Sequence, residues 1–248
     1  MPEYHRARLD NGLTVVLERH THVKTLAVGV WIRVGSCFET KAINGISHFL
    51  EHMVFKGTEK RTALEISSEI EAVGGDLNAF TERELTCYHA TVLSEHLDLA
   101  LDVLSDLTLR PIFPKQELER ERKVLLQELA MALEAPEDRI QDAFLEAIWA
   151  GEPLGFSIIG TKKNLIHISR SQLENHFKQY YHPENMVISV AGNVEFDALV
   201  AGCQKYFTFP KTQEALPLRP VKSHFKPKKK NLTDDTEQLH LIVGFDAP

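Results

Sequence analysis

His48-Phe49-Leu50-Glu51-His52 is the stretch whose reading decides the rest of this chain. At 3.6 residues per helical turn, positions i, i+3 and i+4 share one face. His48, Glu51 and His52 therefore point one way, and Phe49 and Leu50 point elsewhere, into a core. Imidazole nitrogen is a good zinc ligand, and two imidazoles one turn apart reach the same ion. A neighbouring carboxylate that does not ligate is placed to act as general base on water. The order is the reverse of the commoner His-Glu-x-x-His. Because the chain has 12 histidines, the pattern can also arise on a plain surface helix, and its surroundings must decide.

Those surroundings carry helix punctuation. Asn44 and Ser47 offer capping side chains just upstream, and Gly57 offers a stop. Thr62-Ala63-Leu64-Glu65 reads as a capping box opening a second helix that ends at Gly74-Gly75. Upstream, Asn11-Gly12 between β-prone runs predicts a hairpin, because both residues tolerate positive φ. A second strand is expected over 25–34. Further strands are expected over 76–80 and 85–93, joined by the charged turn Thr81-Glu82-Arg83-Glu84.

Ser94 is placed to cap a leucine-faced helix closed by Arg110-Pro111. Pro114 opens the longest helical stretch, 115–134, and Pro136 starts another that reaches Trp149. Residues 151–160 read as a loop, 169–181 as a helix capped by Ser169, 186–191 as a buried strand and 197–206 as a short helix. Strands and helices in mixed order predict an α+β fold of two layers, a mostly antiparallel sheet with helices packed on one face. Trp31, Trp149 and most of the phenylalanines are expected in the core, as large aromatics usually are.

Composition narrows the function classes. The 248 residues suffice for one large domain or two small ones. A formal charge of -7 does not favour a nucleic-acid partner. No run of 18 apolar residues exists, so no membrane-spanning helix is expected. The first residues lack the apolar core of a signal peptide. Cys37, Cys87 and Cys203 are odd in number and widely spaced, and read as reduced thiols. The expected location is a bacterial cytoplasm, or an organelle matrix if a presequence has been removed.

A catalytic zinc wants three protein ligands and an open position. The 115–134 helix offers Glu121 and Glu128, two turns apart on one face with Leu125 between them. Acidic residues in line with a buried leucine need a partner, and a metal is one. Surface ion pairs with Arg120, Arg122 and Lys123 explain them equally well at this point.

The segment His48-Phe49-Leu50-Glu51-His52-Met53-Val54-Phe55-Lys56-Gly57-Thr58 resembles the inverzincin zinc motif of the pitrilysin and insulinase family. It is most similar to the branch of the mitochondrial processing peptidase β subunit and its bacterial relatives. Gly74-Gly75-Asp76-Leu77-Asn78-Ala79-Phe80-Thr81, followed by Thr86 and Tyr88, is similar to that family's Gly-Gly-x-x-Asn-Ala-x-Thr segment. Glu128 lies 76 residues past His52, where the family has its third ligand, and Glu121 matches its second acidic position. Pro153-Leu154-Gly155 and His182-Pro183-Glu184-Asn185-Met186 also resemble the branch.

The resemblance implies one zinc per chain held by His48, His52 and Glu128, with Glu51 as general base and then proton donor. It implies that Glu121 supports the ligands from behind. It implies that Asn78, Ala79 and Phe80 lie on a sheet edge that pairs with an extended peptide or unfolded polypeptide. On residue pattern alone, that stretch reads as a plain edge strand. The activity implied is that of a zinc metalloendopeptidase acting on peptides or presequences. The alternative is a non-catalytic subunit that binds peptide or supports an assembly, although such members typically lose the metal motif, and here it is intact.

Family members of this branch have two similar halves. The chain resembles the first half, assigned as a catalytic domain over 1–215. A proline- and lysine-rich linker follows over 216–232, and the opening strand of a second unit over 233–248. It is expected to be a fragment or truncated form whose missing second half, or a homo- or hetero-dimer partner, would complete the chamber; without it the zinc site is exposed and the substrate poorly positioned.

Overall fold

The computed structural model describes residues 3–209, 228–233 and 238–245. The Asn11-Gly12 hairpin forms as expected between β1 (Glu3–Arg8) and β2 (Thr14–Arg19). Gly12 takes a positive φ of 92° at the turn, and Asn11 Oδ1 accepts from the Leu13 amide. The other strands are β3 (Thr25–Ile32), β4 (Asp76–Thr81), β5 (Thr86–Leu93) and β6 (Met186–Gly192). They form one sheet in the order β1-β2-β6-β3-β5-β4. Every pairing is antiparallel except β2 with β6. β6 comes from far along the chain to fill the slot between β2 and β3. β4 lies at one end of the sheet, with β5 its single neighbour among the described strands.

Alternation along the strands divides the two faces. Leu26, Val28, Val30 and Ile32 of β3 are buried, with Val15, Leu17, Ile188 and Val190 beside them in register. This face is covered by helices, eight of which occur among the described residues. α1 (Ile46–Val54) and α2 (Ala63–Glu71) lie by β4, α3 (Leu97–Leu109) against β3 and β5, and α8 (Phe196–Tyr206) against β2. α4 (Lys115–Glu134), α5 (Pro136–Ile148), α6 (Lys162–His167) and α7 (Arg170–Tyr180) pack outside them. Arg122 of α4 ties this outer layer together. Its guanidinium donates to the carbonyls of Leu165 and Ile168 and lies over the Phe49 ring. The fold is thus the expected two-layer α+β arrangement. α1 sits between the sheet edge and α4.

Several local expectations change. Neither Asn44 nor Ser47 caps α1. The helix starts after Gly45, whose φ is 98°, and the buried Glu39 carboxylate accepts from the amides of Gly45 and Ser47 and from Asn44 Nδ2. That cap comes from outside the local window in which capping motifs are read. Ser94 starts a short 3-10 turn, and α3 begins only at Leu97 without a side-chain cap. α6 was not expected. It is six residues long, too short for an apolar period, and its one sequence signal is Thr161, whose hydroxyl accepts from the Asn164 amide. Trp31 lies on the uncovered face of the sheet rather than in the core, donating from Nε1 to Ser189 Oγ and meeting Phe80 edge-on.

Of the opening strand expected over 233–248, residues 234–237 and 246–248 lie outside the described residues, and 238–245 are not paired as a strand. A strand needs a hydrogen-bonded neighbour, and this segment instead runs beside α5. His240 faces Glu137 at 4.0 Å, and Gly244 is tight against Phe144. Of the linker expected over 216–232, residues 216–227 lie outside the described residues. Lys228 to Leu232 are exposed and irregular, with Lys230 paired to Glu146. No helix of the described residues is long and apolar enough to cross a membrane.

Candidate metal centre

α1 carries its apolar residues Phe49, Leu50 and Met53 into the core, fully buried. The helical period then turns His48, Glu51 and His52 toward α4 and the end of β4. α4 is fixed by Leu118, Leu125 and Leu129, all buried, which leaves Glu121 and Glu128 on the side facing α1.

Glu128 Oε2 lies 3.9 Å from His48 Nε2 and 3.6 Å from His52 Nε2. The two imidazoles meet nearly at right angles, 4.8 Å between ring centres. Among the described residues, His48, His52 and Glu128 are the one group of three whose ligand atoms converge within 4.8 Å. Zinc holds nitrogen and oxygen donors at about 2.0–2.1 Å, and tetrahedral donors at that distance are about 3.4 Å apart. The two edges at Glu128, 3.6 and 3.9 Å, exceed that span by a few tenths of an ångström, so the side chains would close slightly on an ion. Two nitrogens and one carboxylate are also the donor set of a catalytic zinc site with a position left open.

His52 Nδ1 is 3.1 Å from Glu121 Oε2, so the imidazole can present Nε2 to a metal while its other nitrogen donates to a carboxylate. The second Glu121 oxygen meets Lys56 Nζ at 2.9 Å. Glu121 is thus held between His52 and a cation, and among the described residues its ion pairs with Arg120, Arg122 or Lys123 do not form. Arg120 pairs with Glu117 and Arg122 with Glu119 instead. Burial alone would raise the Glu121 pKa, but the His52 and Lys56 hydrogen bonds outweigh it and lower it. Among the described residues, nothing accepts from His48 Nδ1.

Burial lowers the His48 pKa to about 4, helped by His52. That keeps His48 neutral, as a ligand must be. Burial also pulls the His52 pKa down, but Glu121, Glu128 and Glu51 together raise it. Burial raises the pKa of Glu51, against the opposing pull of the Thr81 hydroxyl and of His52. A carboxylate moved up from its ordinary value accepts a proton more readily near neutral pH.

Sequence reasoning did not single out Thr81 or Lys56. Thr81 Oγ1 donates to Glu51 Oε2 at 2.6 Å, and Lys56 braces Glu121. Lys56 lies four residues past His52, in the turn that follows α1, a spacing that could have found it. Asn78, Ala79 and Phe80 lie on β4 as expected. Register puts Ala79 and Thr81 on the helix-covered face and Asn78 and Phe80 on the open one. Asn78 Oδ1 accepts from the Ala79 amide. The three cysteines are free and buried, and burial pushes each thiol up to about 12.

Residues 14–162 match the insulinase family of peptidases, family M16, and residues 167–248 match the M16 inactive domain. The chain belongs to the insulinase family, M16. It is 41% identical over 241 residues to the uncharacterized zinc protease YmxG of Bacillus subtilis, covering 97% of this chain and 58% of that protein. It is 39% identical over 247 residues to an uncharacterized zinc protease of Mycobacterium tuberculosis, covering 98% of this chain and 56% of that one. The chain therefore spans a little over half the length of these curated relatives. In fold it resembles a Helicobacter pylori protease, with a TM-score of 0.85 at 24% identity over 91% of this chain and 55% of that one. It also resembles pitrilysin, with a TM-score of 0.78 at 26% identity over 89% of this chain and 24% of that one. The boundary between the two matched segments is not a break in the fold, because β6, beyond residue 167, completes the sheet between β2 and β3.

Proposed function

We propose that this chain is the metal-bearing part of a zinc endopeptidase that hydrolyses peptides bound in extended form along β4. The observation that carries the reading is the convergence of His48 Nε2 and His52 Nε2 on one Glu128 oxygen, with the Glu51 carboxylate beside them outside the triangle. His48, His52 and Glu128 would hold the ion, with Glu121 orienting His52 from behind. When bound, zinc supplies a Lewis acid that lowers the pKa of water to about 7 and polarises a carbonyl. Glu51 takes the proton from the attacking water and returns it to the departing amine nitrogen. β4 binds the peptide main chain by adding a strand to its free edge, which accepts varied sequences because the bonds are to backbone. The Ala79 amide, now bonded to the Asn78 side chain, becomes available to a peptide carbonyl when Asn78 turns aside.

The test is cleavage of a mixed peptide library by the protein at the full length of its gene, with and without a chelator, alongside E51Q. The expected result is cutting that the chelator stops and that E51Q lacks while retaining zinc. Cutting that survives in E51Q would remove Glu51 from the role of base.

A further inference from the structure

The base Glu51 has a partner that the sequence motif does not contain. Thr81 is the last residue of β4, with only 9% of its surface exposed, and its Oγ1 lies 2.6 Å from Glu51 Oε2. The direction of this hydrogen bond is fixed by its surroundings. Opposite Thr81 in register is Thr86, whose hydroxyl spends its single proton on the Val34 carbonyl at 2.8 Å. A hydroxyl has one proton to give. Thr81 therefore donates to Glu51, and the 3.4 Å approach of the two threonine oxygens brings it no competing acceptor of comparable length.

The scaffold behind Thr81 is stiff. The turn after β4 closes through the Glu82 amide on the Leu85 carbonyl. Its carbonyls at Glu82 and Arg83 accept from the amides of Ser36 and Cys37. Gly35 packs so closely on this turn that a Cβ there would meet the Glu82 carbonyl at 2.1 Å. The hydroxyl is thus presented from a clamped strand end, not from a loop.

We infer that Thr81 is a positioning residue for the base: it pins Glu51 Oε2, so that Glu51 Oε1 is the oxygen that takes the proton from water and gives it back. This inference rests on the peptidase reading above. It also makes Thr81 a physical link between the strand proposed to carry the peptide and the group proposed to move the proton. A carboxylate held through one oxygen loses rotational freedom before the reaction rather than during it, which is how fixed geometry lowers a barrier.

The test compares T81V, which keeps the branched shape and removes the hydroxyl, with T81S, which restores it. Both are made in the protein at the full length of its gene and assayed with wild type and E51Q. A hydrogen bond to a charged group has an effect of about 10- to 100-fold when removed. T81V is expected to lower kcat by about that factor, with KM within about twofold and zinc content unchanged. T81S is expected to recover to within about threefold of wild type. Crystal structures of the metal-free variants supply a readout that does not depend on turnover: Glu51 leaves its single position in T81V and keeps it in T81S, while His48, His52 and Glu128 stay in place. An active wild type with T81V at the same kcat, or with Glu51 unmoved in T81V, overturns the inference alone. A zinc-loaded wild type that cuts nothing overturns the peptidase reading and the inference with it.

Discussion

His52 shows how much one residue of this site depends on its neighbours. One ring nitrogen faces Glu128 and the other donates toward Glu121, which Lys56 holds in turn. Carboxylates that hold a ligating histidine from behind typically change metal affinity about 10- to 100-fold when altered. E121Q is therefore expected to weaken zinc by that factor in a competition titration, while H52A and E128A abolish stoichiometric binding. Equal affinity in E121Q and wild type would mean that Glu121 does not orient the ligand. The shared face of His48, Glu51 and His52 was legible in the sequence, because residues one turn apart on a helix must share a face, while Glu128 was singled out from Glu121 only by the family resemblance. Spacing alone did not say whether those glutamates face the histidines of α1 or surface arginines; the distances put them beside His48 and His52. Thr81 closes the segment that resembles the family's Asn-Ala-x-Thr, but it was not legible as a partner of Glu51, because it arrives from a different element 30 residues away.

At the scale of elements, α1 is held by groups that its own sequence does not announce. Glu39 caps its first turn, and His176 of α7 meets Ser47 Oγ at 3.0 Å. Burial lowers the His176 pKa to about 3. Below its ordinary value of 6.5, the unfolded chain takes up a proton that the folded protein refuses. The stability contributed by neutral His176 is therefore complete above 6.5 and is lost as pH falls toward about 3. Burial raises Glu39, so its contribution runs the other way, declining as pH rises above the ordinary value of 4.5. Comparing wild type with H176Q cancels Glu39. Between about pH 7.5 and about pH 5, wild type is expected to lose on the order of 2 kcal/mol more than H176Q in urea unfolding. Parallel stability curves would contradict this. The loop after α1 has its own anchor: Arg61, almost wholly buried, pairs with Asp106 at 3.1 Å, Asp102 at 2.7 Å and Glu69 at 2.9 Å. Removing one member of a buried ion network costs about 3–5 kcal/mol. R61A should show that loss in the same unfolding assay, and a change under about 1 kcal/mol would mean the network is loosely solvated. The helices and strands with strong periodicity or local caps were legible. α6 was too short to read, and the cap of α1 comes from outside its local motif.

For the whole molecule, the two-layer class followed from the mixed order of strands and helices, but the strand order did not. Periodicity finds β6 as a buried strand and cannot say that it slots between β2 and β3, since that depends on long-range pairing. Nor does periodicity separate a strand from an extended segment without a partner, as residues 238–245 illustrate. The sheet face away from the helices, with Trp31, Phe80 and His89 among its residues, lines a concavity of about 660 Å³. The helix-covered face carries the core, and the triangle of His48, His52 and Glu128 sits at its β4 end. A metal that binds the folded chain and not the unfolded one stabilises by about 2.7 kcal/mol at a hundred times its dissociation constant. For a chain of this size that is a rise in Tm of about 5–10 °C, reversed by a chelator and absent in H52A. The most direct test of the central claim is X-ray absorption at the zinc edge on stoichiometrically loaded protein, with E51Q beside it. The account predicts one zinc per chain in both proteins, ligated by two imidazole nitrogens and a carboxylate oxygen with no sulfur. Sulfur in the zinc shell, a single imidazole, or failure to take up one equivalent of zinc would contradict it.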